Sequence, residues 1–167
     1  NLSRRALAML VTCFVFVRLD YCNATFIGLP HCDLNRIQAV QNAAVRLVAG
    51  ASRFDHVTPL LRERHWLPVH LRVVYKMAVI VYKCLAATSA DYLTALTRPP
   101  VSTTTLRLRS ADTRCLHVPR TRTGYGDRAF SVAGPRLWNS LPDSVKSASS
   151  LGTFKHRLKT HLFRSLD

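Results

Sequence analysis

The longest apolar stretch of the chain runs from Val69 to Ala87, VHLRVVYKMAVIVYKCLAA, and is interrupted only by His70, Arg72, Lys76 and Lys83. Lys76 and Lys83 are seven residues apart and share one face of a helix, while the rest of the circumference is apolar, which predicts the central helix of a bundle. Upstream, DLNRIQAVQNAAVRLVAG reads as a helix with both ends marked, Asp33 as N-cap and Gly50 just past the last turn. Its expected apolar stripe is Leu34, Ile37, Val40, Ala44, Leu47 and Val48, with Asn35, Arg36, Gln38, Asn42 and Arg46 facing away, and the small pair Ala43-Ala44 would permit a close helix approach. Thr58-Pro59 starts a short helix to about Arg64, because Pro tolerates the first helical position, and His65-Trp66-Leu67-Pro68 ends it. Another short helix is expected over Asp91 to Thr97.

The N-terminal run from Ala6 to Val17 follows Arg4-Arg5 and imitates a signal peptide, but its 12 residues fall short of the roughly 20 that cross a bilayer. A buried core helix is the better reading, capped by Ser3 and packing through Leu7, Leu10, Val11 and Phe14. The chain does not begin with Met and is read as a fragment or a processed piece. At Arg98-Pro99-Pro100 the composition shifts: residues 98–128 hold seven Arg against Asp112 and Asp127, with Ser and Thr abundant, as in an exposed loop or weak hairpin. Leu106 to Leu108 and Cys115 to Val118 are the short extended pieces available for pairing. Beyond them Phe130 and Trp138 read as core anchors, with Pro135 and Pro142 as punctuation. From Ser150 an amphipathic helix turns Leu151, Phe154, Leu158 and Leu162 inward and Lys155, Arg157, Lys159 and Arg164 outward.

Charge changes this picture of a plain helical domain. The 167 residues carry 24 Lys+Arg against 9 Asp+Glu, a formal net charge of +15, while 48% of residues are apolar. Such a chain buries enough apolar surface to fold, and its surplus makes a polyanion the first partner to consider. Nineteen of the basic residues are Arg, whose planar fork pairs bidentately with phosphate. A GC-rich coding sequence that prefers Arg codons accounts for the same bias. Five Cys without regular spacing argue against a disulfide framework and for a reducing nuclear or cytoplasmic compartment. The seven His show no zinc-ligand spacing, and Cys22, His31 and Cys32, the one local cluster, read as packing. The carboxylates are scattered singly, so no pair is spaced for two-metal or acid–base chemistry. Gly124-Tyr125-Gly126 is too short for a phosphate-cradling loop and lacks a following Lys. No catalytic residue, cofactor or metal is expected. Trp66 and Trp138 are flanked by Leu and Pro and read as core residues before base-stacking ones.

Several stretches together form a more specific pattern. Leu19-Asp20-Tyr21-Cys22-Asn23 with Gly28-Leu29-Pro30, then Ile37 and Val40-Gln41-Asn42-Ala43-Ala44 to Arg46-Leu47, are followed by His56-Val57-Thr58-Pro59 and His65-Trp66-Leu67-Pro68. Val118-Pro119-Arg120-Thr121-Arg122, the run Gly126 to Pro142 (GDRAFSVAGPRLWNSLP), Phe154-Lys155 and Leu158 to Phe163 complete the series. In order and spacing this resembles the segment just after the polymerase core of LINE-type non-LTR retrotransposon reverse transcriptases, of the jockey-like and chicken-repeat-like clades. The resemblance covers about residues 5 to 164. Two departures are Val17, where the family has a small polar residue, and Arg64, which replaces an apolar residue and is expected to put a charge near the core.

The resemblance implies a non-catalytic C-terminal piece of an RNA-directed DNA polymerase. The family's Y/F-x-D-D element is absent, so this chain would not synthesise DNA. The fold expected is mainly α: a thumb-like helical bundle over residues 1–97, a basic loop or linker with a weak hairpin over 98–128, and a C-terminal helical segment over 129–167. The expected partners are the backbone of an RNA–DNA hybrid or duplex and the upstream palm of the parent protein, with no membrane. A thumb holds a duplex without reading its sequence, so it needs phosphate contacts on a rigid apolar frame. The candidates for those contacts are Arg36, Arg46, Lys76, Lys83, Arg107, Arg109, Arg120 and Arg122. The other reading from the same residues is a domesticated or decayed fragment whose exposed apolar surface makes it a protein-interaction or structural module.

Overall fold

A computed structural model describes residues 3–97 and 115–166. The protein is mainly helical, with no strand among the described residues. It divides into two compact units between Val73 and Val74, inside its longest apolar helix.

In the first unit the Ser3 hydroxyl accepts from the Ala6 amide at 3.2 Å and caps α1 (Arg4–Val11), as expected. A π-helical turn, Thr12–Phe16, follows, and α2 (Val17–Asp20) continues it. The Val17 amide reaches back to the Thr12 carbonyl, so the turn holds one residue more than an α-turn. That extra residue rotates the buried face. Val11 and Phe16 are buried with Ala44 and Val48, and Leu7, Ala8, Val15, Leu19 and Trp66 pack against them. The expected Phe14, within the turn, is instead exposed at 72%; Leu10, which precedes the turn in α1, is exposed as well. A strict 3.6-residue count cannot see a widened turn.

Helix α3 (His31–Ala49) starts at Pro30, ahead of the expected cap, so Asp33 lies in the first turn, where its carboxylate faces the positive end of the helix dipole. Gly50 closes the helix at φ +67°, a left-handed conformation that a glycine adopts without strain. The buried line is Gln41, Ala44, Val45 and Val48, while Val40, Ala43 and Leu47 are exposed. Gln38 and Asn42, expected to face away, are half-buried. The reason is a polar clamp. Gln41 Nε2 donates to the Leu67 carbonyl at 2.8 Å, and Gln38 Oε1 accepts from the Val69 amide at 2.8 Å. Gln38 Nε2 in turn donates to Gln41 Oε1 at 3.0 Å and Asn42 Oδ1 at 2.8 Å. The backbone groups on either side of Pro68 have no ladder to join, and α3 supplies their partners.

Helix α4 (Val57–Glu63) begins before Pro59, which occupies its third position; the first four amides of a helix lack internal partners, so the missing N–H costs nothing there. His65 at φ +54° ends the turn, with the Trp66 amide on the Leu61 carbonyl at 2.8 Å. Trp66 then meets Phe16, ring centroids 4.2 Å apart. Arg64 is accommodated rather than expelled: its guanidinium lies over Trp66 and donates to the Val48 carbonyl at the end of α3. In α5 (Val69–Leu85), Arg72 Nε donates to Asp20 Oδ1 at 2.8 Å and Nη2 bonds Oδ2, with the guanidinium over the Phe16 ring. Asn23 Nδ2 adds a third bond to Asp20 at 3.2 Å. Cys22, His31 and Cys32 are all exposed, so they form no packed cluster.

In the second unit, α6 spans Asp91–Thr97 as expected, and α7 (Gly124–Asp127) precedes α8 (Phe130–Ser140), α9 (Asp143–Lys146) and α10 (Leu151–Arg164). Pro135 does not punctuate α8 but lies inside it, fully buried. Gly134 makes that possible. It has no Cβ to collide with the proline ring, and a Cβ there would stand 3.1 Å from Val81 Cγ2. Phe154 is the centre of the core, 4.4 Å from the Tyr82 ring and 5.9 Å from Trp138. Leu158 and Leu162 continue its buried line, and Ser150 caps the helix on the Thr153 amide at 3.2 Å. The Leu106 to Leu108 half of the expected hairpin lies outside the described residues, and Cys115 to Val118 is not a strand.

Replacing Gln41 by Ala strands the Leu67 carbonyl in the interior. Such a buried, unsatisfied group costs about 1–3 kcal/mol, and Gln41→Ala is expected to lower the unfolding free energy by that amount in urea titration. Asn35→Ala, at an exposed position of the same helix, is the matched control, with an expected change below about 0.5 kcal/mol.

Candidate nucleic-acid interface

Through Val73 the sequence holds nine Arg and no Lys against four carboxylates. Arg36 is exposed on α3. Arg46, in the last turn of the same helix, is half-buried, and its Nη2 donates to the Asp55 carbonyl at 3.0 Å. Asp55 Oδ2 accepts from the Ser52 amide at 2.7 Å, so Arg46 ties α3 to a closed turn. Its Nε is buried without a partner among the described residues. Arg46 therefore has a structural task of its own. Asp20 and Arg72 neutralise one another, and burial together with nearby His31 pushes His70 below its ordinary value of 6.5. That shift favours the neutral imidazole over a further cation.

In the second unit Lys76 is exposed and Lys83 half-buried, on the one face of α5 that their spacing sets. Arg107 and Arg109 lie outside the described residues. Arg120 and Arg122 are exposed in the irregular segment that leads into α7. This segment is anchored at its start by one side chain: Asn139 Oδ1 accepts from the Leu116 amide at 2.8 Å, and Nδ2 donates to the Leu116 carbonyl at 2.8 Å. The two bonds imitate one rung of a sheet. At its end Thr121 Oγ1 donates to Asp127 Oδ1 at 2.5 Å, and Arg136 Nη2 does so at 3.0 Å. These bonds hold the Asp127 carboxyl below the usual carboxylate range, the one from Thr121 foremost. Helix α10 adds exposed Lys155, Arg157 and Arg164, cations that helical spacing places outward but that the candidate contacts omit. Arg157 also donates to the Ser144 carbonyl at 2.8 Å.

Trp66 and Trp138 are not free to stack on bases, since Trp66 packs on Phe16 and Trp138 is buried near Phe154. The exposed aromatics are others: Phe14, Tyr21, Phe54, Tyr92 and Tyr125. Arg53 lies over the Phe54 ring, its guanidinium carbon 4.6 Å from the centroid. Among the described residues no three His, Cys, Asp or Glu side chains converge to hold a metal ion. No helix among them is long and apolar enough to cross a membrane. No protein-family model, curated protein or solved structure matches the chain.

Asn139→Ala is expected to release the segment that carries Arg120 and Arg122. Hydrogen exchange at the Leu116 amide should rise at least about fivefold, in keeping with about 1–3 kcal/mol for two lost part-buried bonds, while exchange within α3 stays unchanged.

Proposed function

We propose that this chain is the non-catalytic C-terminal part of a non-LTR retrotransposon RNA-directed DNA polymerase, and that it grips template–primer nucleic acid through the phosphate backbone. The observation that carries the reading is the ordered string of motifs from Leu19 to Phe163. The structure adds support by giving those motif residues work inside the fold. Asp20 and Asn23 bond each other while Asp20 pairs with Arg72, Gln41 and Asn42 belong to the clamp on Leu67 and Val69, and Asn139 anchors Leu116. Nucleic-acid contact then falls to the cations outside the interior: Arg36, Lys76, Lys83, Arg120 and Arg122, with Arg107 and Arg109 from the basic loop. Contacts of that kind fix a duplex in place and carry no sequence preference. The partner in the parent protein is its polymerase palm.

A second reading, a protein-interaction module without a nucleic-acid role, is favoured by one feature. Leu10, Phe14, Val17 and Tyr21 form an exposed apolar set along α1 and α2.

Competition at a fixed, moderate salt concentration separates the two. The chain should prefer an RNA–DNA hybrid over heparin of equal charge, and a variant with Arg36, Lys76, Lys83, Arg120 and Arg122 all changed to Gln should bind the hybrid at least about tenfold more weakly. Equal affinity for both polyanions, or an unaffected variant, would contradict the grip.

A further inference from the structure

We propose that Tyr125 is a stacking platform for an unpaired base, with Arg120 and Arg122 holding the phosphates of the same single strand. The inference rests on the nucleic-acid reading above and assigns it a second substrate form, the single-stranded template or primer end.

Tyr125 is the most exposed large apolar or aromatic side chain among the described residues, at 85%. It stands on α7, a single helical turn, and its ring is left in water. That turn is nevertheless braced from both sides. The Thr123 hydroxyl caps it on the Gly126 amide at 3.1 Å, and Asp127 collects the bonds from Thr121 and Arg136. A Cβ on Gly126 would lie 3.1 Å from Thr121 Cβ and Cγ2, so glycine lets the chain fold back closely on Thr121. A Cβ on Gly124 would meet nothing within 4 Å, and both residues flanking Tyr125 are without side chains. The ring is thus presented on a fixed backbone with open space beside it, three residues from Arg122 and five from Arg120, both exposed.

An aromatic face supplies stacking energy to any base, and neighbouring guanidinium groups supply the sequence-blind phosphate attraction. A paired base has both faces covered and cannot use the ring. Single strands therefore fit this surface, while the duplex depends on charge alone.

The test uses the full chain and a single-stranded oligonucleotide containing 2-aminopurine, whose fluorescence is quenched on stacking, beside an RNA–DNA hybrid. Tyr125→Ala should weaken single-strand binding about tenfold and abolish the quenching, with hybrid affinity unchanged. Tyr125→Phe should keep both affinity and quenching, since the ring is retained. The double change Arg120→Gln with Arg122→Gln should keep the quenching at saturation and reduce the salt dependence of single-strand binding by about 1.4 in slope. Unchanged binding and quenching in Tyr125→Ala, or equal defects in the Ala and Phe variants, would overturn the stacking role. If the hybrid is bound and the single strand is not, this inference falls while the phosphate grip stands; if neither is bound, both fall.

Discussion

Two backbone groups flanking Pro68 would be stranded at the entrance to the longest apolar helix, and the side-chain amides of Gln38 and Gln41 on α3 satisfy them. Much of the first unit depends on that clamp. It fixes the start of α5 against α3, and three residues later Arg72 pairs with Asp20 across the Phe16 ring. The polar bonds set the register, while Val11, Phe16, Ala44 and Val48 supply the apolar burial that drives collapse. A hydrophobic pair in place of Gln41 and the Leu67 carbonyl is not available, because the acceptor is backbone and cannot be mutated away.

What can be read from the sequence follows from which signals are local. Ser3, Gly50 and Ser150 mark helix ends because a cap is a one-residue device, and the structure places all three at ends. The inward line Phe154, Leu158 and Leu162 obeys simple helical spacing. Phe14 and Val40 depart from that spacing for two different reasons: a widened π-turn, which a fixed helical period does not contain, shifts the first, and the nonlocal clamp that draws Gln41 inward rotates the second outward. Pro135 reads as a helix breaker in isolation, yet its burial against a core prepared by Gly134 keeps it inside α8. Of the candidate contacts, Arg36, Lys76, Arg120 and Arg122 are exposed, whereas Arg46 is tied to Asp55, a bond between positions nine apart that charge counting cannot anticipate. Tyr125 is legible only as part of a short Gly-Tyr-Gly sequence; its exposure is a property of the fold.

The polar chemistry of this chain is divided between two tasks. Side chains with both donors and acceptors, Gln38, Gln41, Asn42 and Asn139, close the fold, and each has an identified partner. Of the side chains that only donate, Arg36, Lys76, Arg120 and Arg122 are exposed, on both units. A grip on nucleic acid needs that separation, since a cation consumed by the interior has no fork left for phosphate. Arg72 shows the consumed state, paired with Asp20 inside the first unit, whereas Arg136 is paired with Asp127 at the surface.

The most direct measurement is the salt dependence of hybrid binding. With an RNA–DNA hybrid, log K plotted against log salt should fall with a slope of about −3.6 or steeper, as expected for about four or more neutralised phosphates at about 0.9 each. A slope near zero, or no binding at moderate salt, would contradict a phosphate grip and leave the exposed apolar set on α1 and α2 as the feature to explain.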